Sequence, residues 1–360
     1  MLSQYRNRFD SNILSVFKQA LQISLRNSRR FTFFSTAGLA QARAAKLRKR
    51  HLITGLQVPP LLIISITKRC NLNCTGCYSK ILHQDNQSEL SPERFREILN
   101  EASTLGVSII LLAGGEPLVR RDILEVAAEF PRIIFPIFSN GTLLDDSYLS
   151  FFYKHQHLIP VISLEGRELE TDARRGDGIY QNYLQLVPKL KQHKLFWGSS
   201  FTLTRENYNQ VLSHEFLSAQ LALGAELYFF VEYVPIASGT ESLVLSSWQK
   251  ENVTRRVDRL NKDLPGIFIA FPGDEEQYGG CLAAGRGFLH VNPFGLAEAC
   301  PFAPVSDVNL SFSTLRESLS SRLMEMIRQN HSLLKEGEGG CALWANREFL
   351  QELSREDREA

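Results

Sequence analysis

From residue 61 to about 233, six apolar runs alternate with stretches of helical pattern, and that alternation leaves few folds open to the chain. The runs are 61–67, 108–113, 133–139, 159–164, 196–203 and 226–234. Each is short, rich in β-branched or aromatic residues and nearly unbroken in apolar character, as a strand reads when both of its faces are buried. The helices between them carry start signals, for example Ser91-Pro92-Glu93-Arg94, where a capping serine precedes a proline in the first turn. Parallel β/α units are the expected result. Six units make an incomplete barrel, so the expected class is α/β, a partial (β/α)6 TIM-like barrel. Its chemistry is expected at the C-terminal ends of the strands.

The first of those ends carries the densest chemistry of the chain. In Lys68-Arg69-Cys70-Asn71-Leu72-Asn73-Cys74-Thr75-Gly76-Cys77-Tyr78, three of the six cysteines fall within eight residues. A lone cysteine usually packs as a small hydrophobe, but three thiols on one polar loop gain little that way. Spacings of four and three would also align the sulfurs on a helix face. Asn71, Asn73, Thr75 and Gly76 are loop formers, however, and the preceding run after Pro59-Pro60 reads as a strand. Structural zinc sites want four ligands, commonly as two pairs, and the local count stops at three. A cubane iron–sulfur cluster held by three thiolates keeps one iron free for a further ligand.

At this point the chain resembles the radical S-adenosylmethionine (SAM) superfamily, whose hallmark is a Cys-x3-Cys-x2-Cys loop after the first strand of a partial barrel. The resemblance implies a [4Fe-4S] cluster on Cys70, Cys74 and Cys77 as the catalytic residues. Its fourth iron would bind SAM, which an electron cleaves to a 5′-deoxyadenosyl radical; iron–sulfur potentials reach roughly −700 mV, low enough for that class of reductant. Gly114, Gly115, Glu116 and Pro117 after the second strand match the motif that holds the SAM amino group. Ser139 and Asn140 resemble part of a turn after the third strand, which Asn-Gly alone would also supply. Ser163 and Glu165 match the ribose-binding position after the fourth. In Asp172-Ala173-Arg174-Arg175-Gly176, Arg175 holds the place of the arginine on the SAM carboxylate, with Arg174 as the alternative. One position departs: the family has an aromatic residue where Gly76 stands, and Tyr78 is expected to substitute beside adenine.

The remaining cysteines are Cys281, Cys300 and Cys341. Asn292-Pro293-Phe294-Gly295 has a favoured type I turn layout, so a hairpin is expected to bring Cys281 and Cys300 near each other. Read alone, these are core thiols, a zinc site or an auxiliary cluster. Cys-x2-Gly, an apolar strand, Pro-x-Gly and Cys-Pro together resemble the SPASM and twitch extensions of radical SAM enzymes. That resemblance implies an auxiliary [4Fe-4S] cluster on Cys281, Cys300 and Cys341. A full SPASM module has seven cysteines and this chain offers three, so the fourth ligand is left among His290, Asp307, His331 and a substrate atom. Asp274-Glu275-Glu276 reads as a solvated acidic turn, with a base or substrate ligand as the minor reading.

Length, 44% hydrophobic and 22% charged residues describe a chain with one sizeable core and a smaller module. No apolar run reaches the ~18 residues of a spanning helix. Clustered cysteines without a secretory signal suit a reducing cytoplasm. Residues 1–51 hold eleven Lys and Arg against Asp10 alone, a net of +10, while the whole chain totals +1. This basic arm carries two helical patterns. Packing against the acidic remainder is its first reading, contact with anionic lipid or a lipid-like substrate its second, and nucleic acid its last.

The expected segments are an N-terminal basic helical arm (1–55), the barrel (56–235), a linker (236–275), a small α+β auxiliary domain (276–348) and a charged tail (349–360). The expected activity is hydrogen abstraction from an unidentified substrate, either in peptide maturation or in small-molecule or lipid modification. The auxiliary cluster would carry electrons or bind substrate. Its partners would be a low-potential donor of flavodoxin or ferredoxin type and a peptide or membrane-associated substrate, with the arm a route to peripheral membrane contact. The rival is a non-catalytic iron–sulfur carrier or sensor that retains the fold.

Overall fold

A computed structural model of the chain describes residues 2–83, 87–271, 280–330, 334 and 341–350, with residues 2–8 given as helical backbone alone. Its centre is a single curled sheet of nine strands: β1 (Leu61–Ser65), β2 (Ile109–Ala113), β3 (Phe135–Ser139), β4 (Leu158–Leu164), β5 (Gly198–Leu203), β6 (Leu227–Glu232), β7 (Ile267–Phe271), β8 (Phe288–Val291) and β9 (Ala297–Glu298). Strands β1 to β7 lie side by side in chain order, each parallel to the next. The six expected runs are β1 to β6. All five residues of β1 are buried, which accounts for its unbroken apolar reading.

Two features lay outside the sequence reading. The stretch 236–275, expected as a linker, holds the helix Ser247–Asp263, opened by a capping box between Ser246 and Gln249, and then β7 on the edge of β6. The run Ile-Phe-Ile-Ala-Phe has the apolar signature of the other strands, so the barrel has a seventh unit. At the other edge, β8 pairs in parallel with β1, and β9 turns back antiparallel to β8. The C-terminal hairpin thereby extends the barrel sheet. Its turn forms at Asn292 to Gly295, with Asn292 Oδ1 accepting from the Phe294 and Leu296 amides. Phe271 at the end of β7 packs on Phe288 of β8, ring centroids 5.6 Å apart, across the open seam.

The basic arm forms two helices, α1 (Leu2–Ile23) and α2 (Ser28–Ile53), and α2 starts at Asn27, whose side chain caps the Arg30 amide. Its cations divide by position. Arg48 is 1% exposed; it pairs with Asp10 at 2.5 Å and donates to the Gly106 carbonyl and Ser108 Oγ. Arg30 pairs with Glu226 at 2.6 Å and donates to the Leu195 carbonyl. Arg43, Lys46, Lys49 and Arg50 are exposed. Among the described residues no helix is long and apolar enough to cross a membrane. Asp274-Glu275-Glu276 and residues 351–360 of the charged tail lie outside the described residues.

Candidate active site

The loop 68–77 leaves β1 and crosses the C-terminal ends of β2, β3 and β4. The residues between its cysteines tie it down. Asn71 donates to Thr142 Oγ1 at 2.7 Å and accepts from Asn140 Nδ2 at 2.9 Å. Asn73 accepts from Lys80 Nζ at 2.7 Å, and the Thr75 amide donates to the Arg174 carbonyl at 2.9 Å. At its start, Glu89 Oε1 accepts from Thr67 Oγ1 and the Lys68 amide, while Arg120 joins Glu89 to the Ile66 and Leu90 carbonyls. Each such bond contributes roughly 1 kcal/mol, so together they hold a loop that has no regular structure. The three cysteines are free thiols, half-buried, on the wall of a cavity of about 230 Å³.

Gly114 and Gly115 make room for this loop. A Cβ on Gly115 would lie 2.1 Å from the Arg69 carbonyl oxygen, and one on Gly114, at φ +134°, would lie 2.4 Å from the Thr67 oxygen. The Gly115 and Glu116 amides donate to those two carbonyls, locking the end of β2 to the cysteine loop. The close approach that the glycines allow is thus to the protein's own backbone.

Glu116 is 1% exposed, and burial raises its carboxyl above the usual range against the pull of its hydrogen bonds. Oε1 accepts from Ser139 Oγ and the Leu118 amide, and Oε2 from the Asn140 amide. Ser139 and Asn140 therefore orient Glu116. A carboxylate offers about four lone-pair positions, so one remains for a ligand.

Glu165, 2% exposed, gathers both arginines on one oxygen: Arg174 Nη1 at 2.6 Å, Arg175 Nη2 at 2.6 Å and Arg175 Nε at 2.9 Å, all on Oε1. Arg174 also donates to Thr202 Oγ1 at 2.7 Å. The structure thus brings Arg174 and Arg175 together at one carboxylate. Glu165 Oε2 is buried without a hydrogen-bond partner among the described residues. Ser163 accepts from Ser200 Oγ at 3.1 Å on the same cavity wall. The Cys70 thiol is pushed up by burial and by Glu116; that of Cys74 is pushed up by burial against the opposing pull of Arg175.

One site residue was missed by sequence reasoning. Tyr233, just beyond β6, stands over Gly76, where a Cβ would lie 2.8 Å from the Tyr233 Oη, and Arg174 lies 5.8 Å from the centre of its ring. Its hydroxyl is buried without a partner among the described residues. The space left at Gly76 is thus filled from another strand. The empty side-chain position at 76 was the signal; no local motif marks Tyr233. Tyr78 packs edge-on against Phe302 at 5.2 Å, and burial together with Cys77 and Cys300 pushes its phenol up.

Cys281 and Cys300 are buried and Cys341 is half-buried. The structure brings them together: the Cys300 thiol shares a hydrogen bond with Cys341 and feels Cys281, and this with burial pushes it well up. Of the expected fourth ligands, His290 has both ring nitrogens engaged, Nε2 with Ser65 Oγ at 2.9 Å and Nδ1 with Glu298 at 2.7 Å. Asp307 Oδ2 accepts from the Leu323 amide at 2.9 Å. His331, Gly339 and Gly340 lie outside the described residues.

The donor set suits an iron–sulfur cluster and a SAM-like ligand: three thiols without disulfide partners, one open acceptor position on Glu116, and an orphaned oxygen on Glu165 beside two guanidinium groups. Residues 64–217 match the family model described as "Radical SAM superfamily". The chain is 27% identical over 296 residues to the AdoMet-dependent heme synthase of Methanosarcina barkeri, covering 74% of this chain and 83% of that protein. It is 26% identical over 272 residues to the PqqA peptide cyclase of Granulibacter bethesdensis, covering 72% of each. In fold it is similar to the crystal structure of Streptococcus suis SuiB, with a TM-score of 0.62 at 18% identity over 87% of this chain and 78% of that one. Residues 64–217, which carry the cysteine loop after β1 and the glycine-locked end of β2, are thus similar to the radical SAM superfamily.

Proposed function

We propose that this chain cleaves SAM reductively and uses the resulting 5′-deoxyadenosyl radical to take a hydrogen atom from its substrate. Cys70, Cys74 and Cys77 would hold the [4Fe-4S] cluster, which when bound supplies the electron for cleavage. The observation that carries the reading is the convergence on one cavity wall of these thiols with Glu116, Arg174 and Arg175. The chain's own residues then do the binding. Glu116, held by Ser139, Asn140 and Leu118, has one acceptor position for an ammonium group. Glu165 is neutralised at Oε1 by both arginines, so Oε2 can accept from neighbouring hydroxyls without leaving an unpaired buried charge. Tyr233 offers an aromatic face and a hydroxyl beside Gly76. Cys281, Cys300 and Cys341 would hold the auxiliary cluster, which would supply electron transfer or substrate binding, and a flavodoxin- or ferredoxin-type donor would supply the low-potential electron for SAM cleavage.

Two relatives are named for unlike products, a heme and a peptide, so their names leave the substrate open. The test is anaerobic reconstitution, iron and sulfide counting, and a dithionite assay for 5′-deoxyadenosine. About eight irons per chain with SAM cleavage supports the reading. A fully loaded protein that leaves SAM intact would support the carrier or sensor reading instead, and zinc in place of iron would exclude both.

A further inference from the structure

Among the described residues the barrel is not filled. A second cavity of about 300 Å³ lies beneath the cysteine cavity. Its wall is built from the first residues of the strands, such as Leu61, Ile159, Leu227 and Ile267, whereas the cysteine cavity is lined by residues toward their far ends. Ile13 and Phe17 of α1 close it from below. Leu111 and Phe271 line both cavities, so the two adjoin within the barrel lumen. Polar side chains gather at one mouth, between α1 and the Ser247–Asp263 helix, where Asn12 and Asp258 are exposed.

Interiors of β/α barrels are normally packed with branched side chains. An apolar space left open forfeits those contacts at a cost that grows with its volume. Such a space stays dry and takes up apolar ligands. A charged group inside would lose its water and gain no partner. We propose that this lumen holds the apolar part of the substrate, a neutral hydrocarbon chain or ring system of about two benzene-sized units, and presents its inner end to the cysteine cavity. The reactive end of this assignment rests on the SAM-cleaving function proposed above; the apolar binding site does not.

The probe is 1-aminoanthracene, a neutral fluorophore that brightens in apolar surroundings, titrated into the reconstituted full-length protein while 5′-deoxyadenosine formation is measured in parallel. One saturable site per chain is expected, displaced by dodecan-1-ol and about tenfold less well by dodecanoate. Ile159→Trp from the barrel wall and Ala20→Phe from α1 fill the lumen from opposite sides. Each is expected to weaken probe binding about tenfold or more, with iron content and SAM cleavage retained. Of an anaerobic cell extract partitioned between chloroform–methanol and water, the organic fraction alone is expected to raise 5′-deoxyadenosine formation, and to do so less in Ile159→Trp. Non-saturable binding, undiminished binding in both variants, or stimulation by the aqueous fraction alone overturns the proposal. Probe binding without any SAM cleavage counts against the proposed function and leaves the apolar site standing.

Discussion

The two cysteine trios differ in how the chain holds them. Cys70, Cys74 and Cys77 sit on one short loop fastened by side-chain hydrogen bonds from Asn71, Asn73 and Glu89 and by the backbone locks to Gly115 and Glu116. They face a cavity in which charged groups are already arranged. Cys281, Cys300 and Cys341 come from separate segments and are mostly buried, with Cys300 and Cys341 sharing a hydrogen bond. The hairpin that carries Cys300 is registered against β1 by strand pairing and by the buried Ser65, His290 and Glu298 contacts. A front site built this way holds its thiols and charged groups in place through the chain's own contacts, as a reaction with an incoming ligand requires. The rear trio depends on long-range strand pairing for its assembly.

The difference between the trios shows most strongly at Gly115. Gly115→Ala places a Cβ 2.1 Å from the Arg69 oxygen, a backbone atom that cannot swing aside. We expect the front cluster to be lost, about four irons per chain, with the rear iron retained, read by iron counting and electron paramagnetic resonance. Glu165→Gln comes next. It leaves two guanidinium groups beside a neutral amide, and breaking a buried pair costs about 3 kcal/mol or more. Denaturant unfolding should show that loss, and SAM affinity should fall while the rear trio is untouched. Asn71→Ala removes one of the loop fastenings and should cost about 1 kcal/mol, with weaker SAM binding measured by calorimetry.

A pH dependence is expected in the barrel wall, away from both trios. His157 is buried, and burial brings its pKa down from 6.5 to about 4, against the pull of the Ala127 carbonyl. The neutral form is thereby favoured on folding. The stabilisation is complete above pH 6.5 and is lost as pH falls through about 4. His157→Phe should flatten that part of the stability curve in thermal melts taken across the interval. An unchanged acid limb would assign the loss to other groups.

Sequence patterning reached the front site more fully than the rear. Strands β1 to β6 were legible because each buries both faces and reads as an apolar run. The cysteine loop was legible because its chemistry is local. The seventh strand was missed, although Ile267–Phe271 has the same apolar character, because it was read as part of a linker. The pairing of β8 with β1 joins residues more than two hundred positions apart, and no local pattern records it. At the glycines after β2, an added Cβ would lie 2.1 to 2.4 Å from the Arg69 and Thr67 carbonyl oxygens, a close backbone approach that the sequence alone does not record. Tyr233 was invisible for a similar reason. Its contact with Gly76 is made by the curl of the sheet rather than by spacing along the chain.

The division of labour between the trios is tested most directly by one measurement: 5′-deoxyadenosine formed from SAM under dithionite by the anaerobically reconstituted protein and by its two triple alanine variants. Cleavage by the parent protein is expected. None is expected from Cys70→Ala, Cys74→Ala, Cys77→Ala, which should retain about four irons. Cleavage should persist in Cys281→Ala, Cys300→Ala, Cys341→Ala. Cleavage surviving in the first variant, or none in a fully loaded parent protein, would contradict this division of labour.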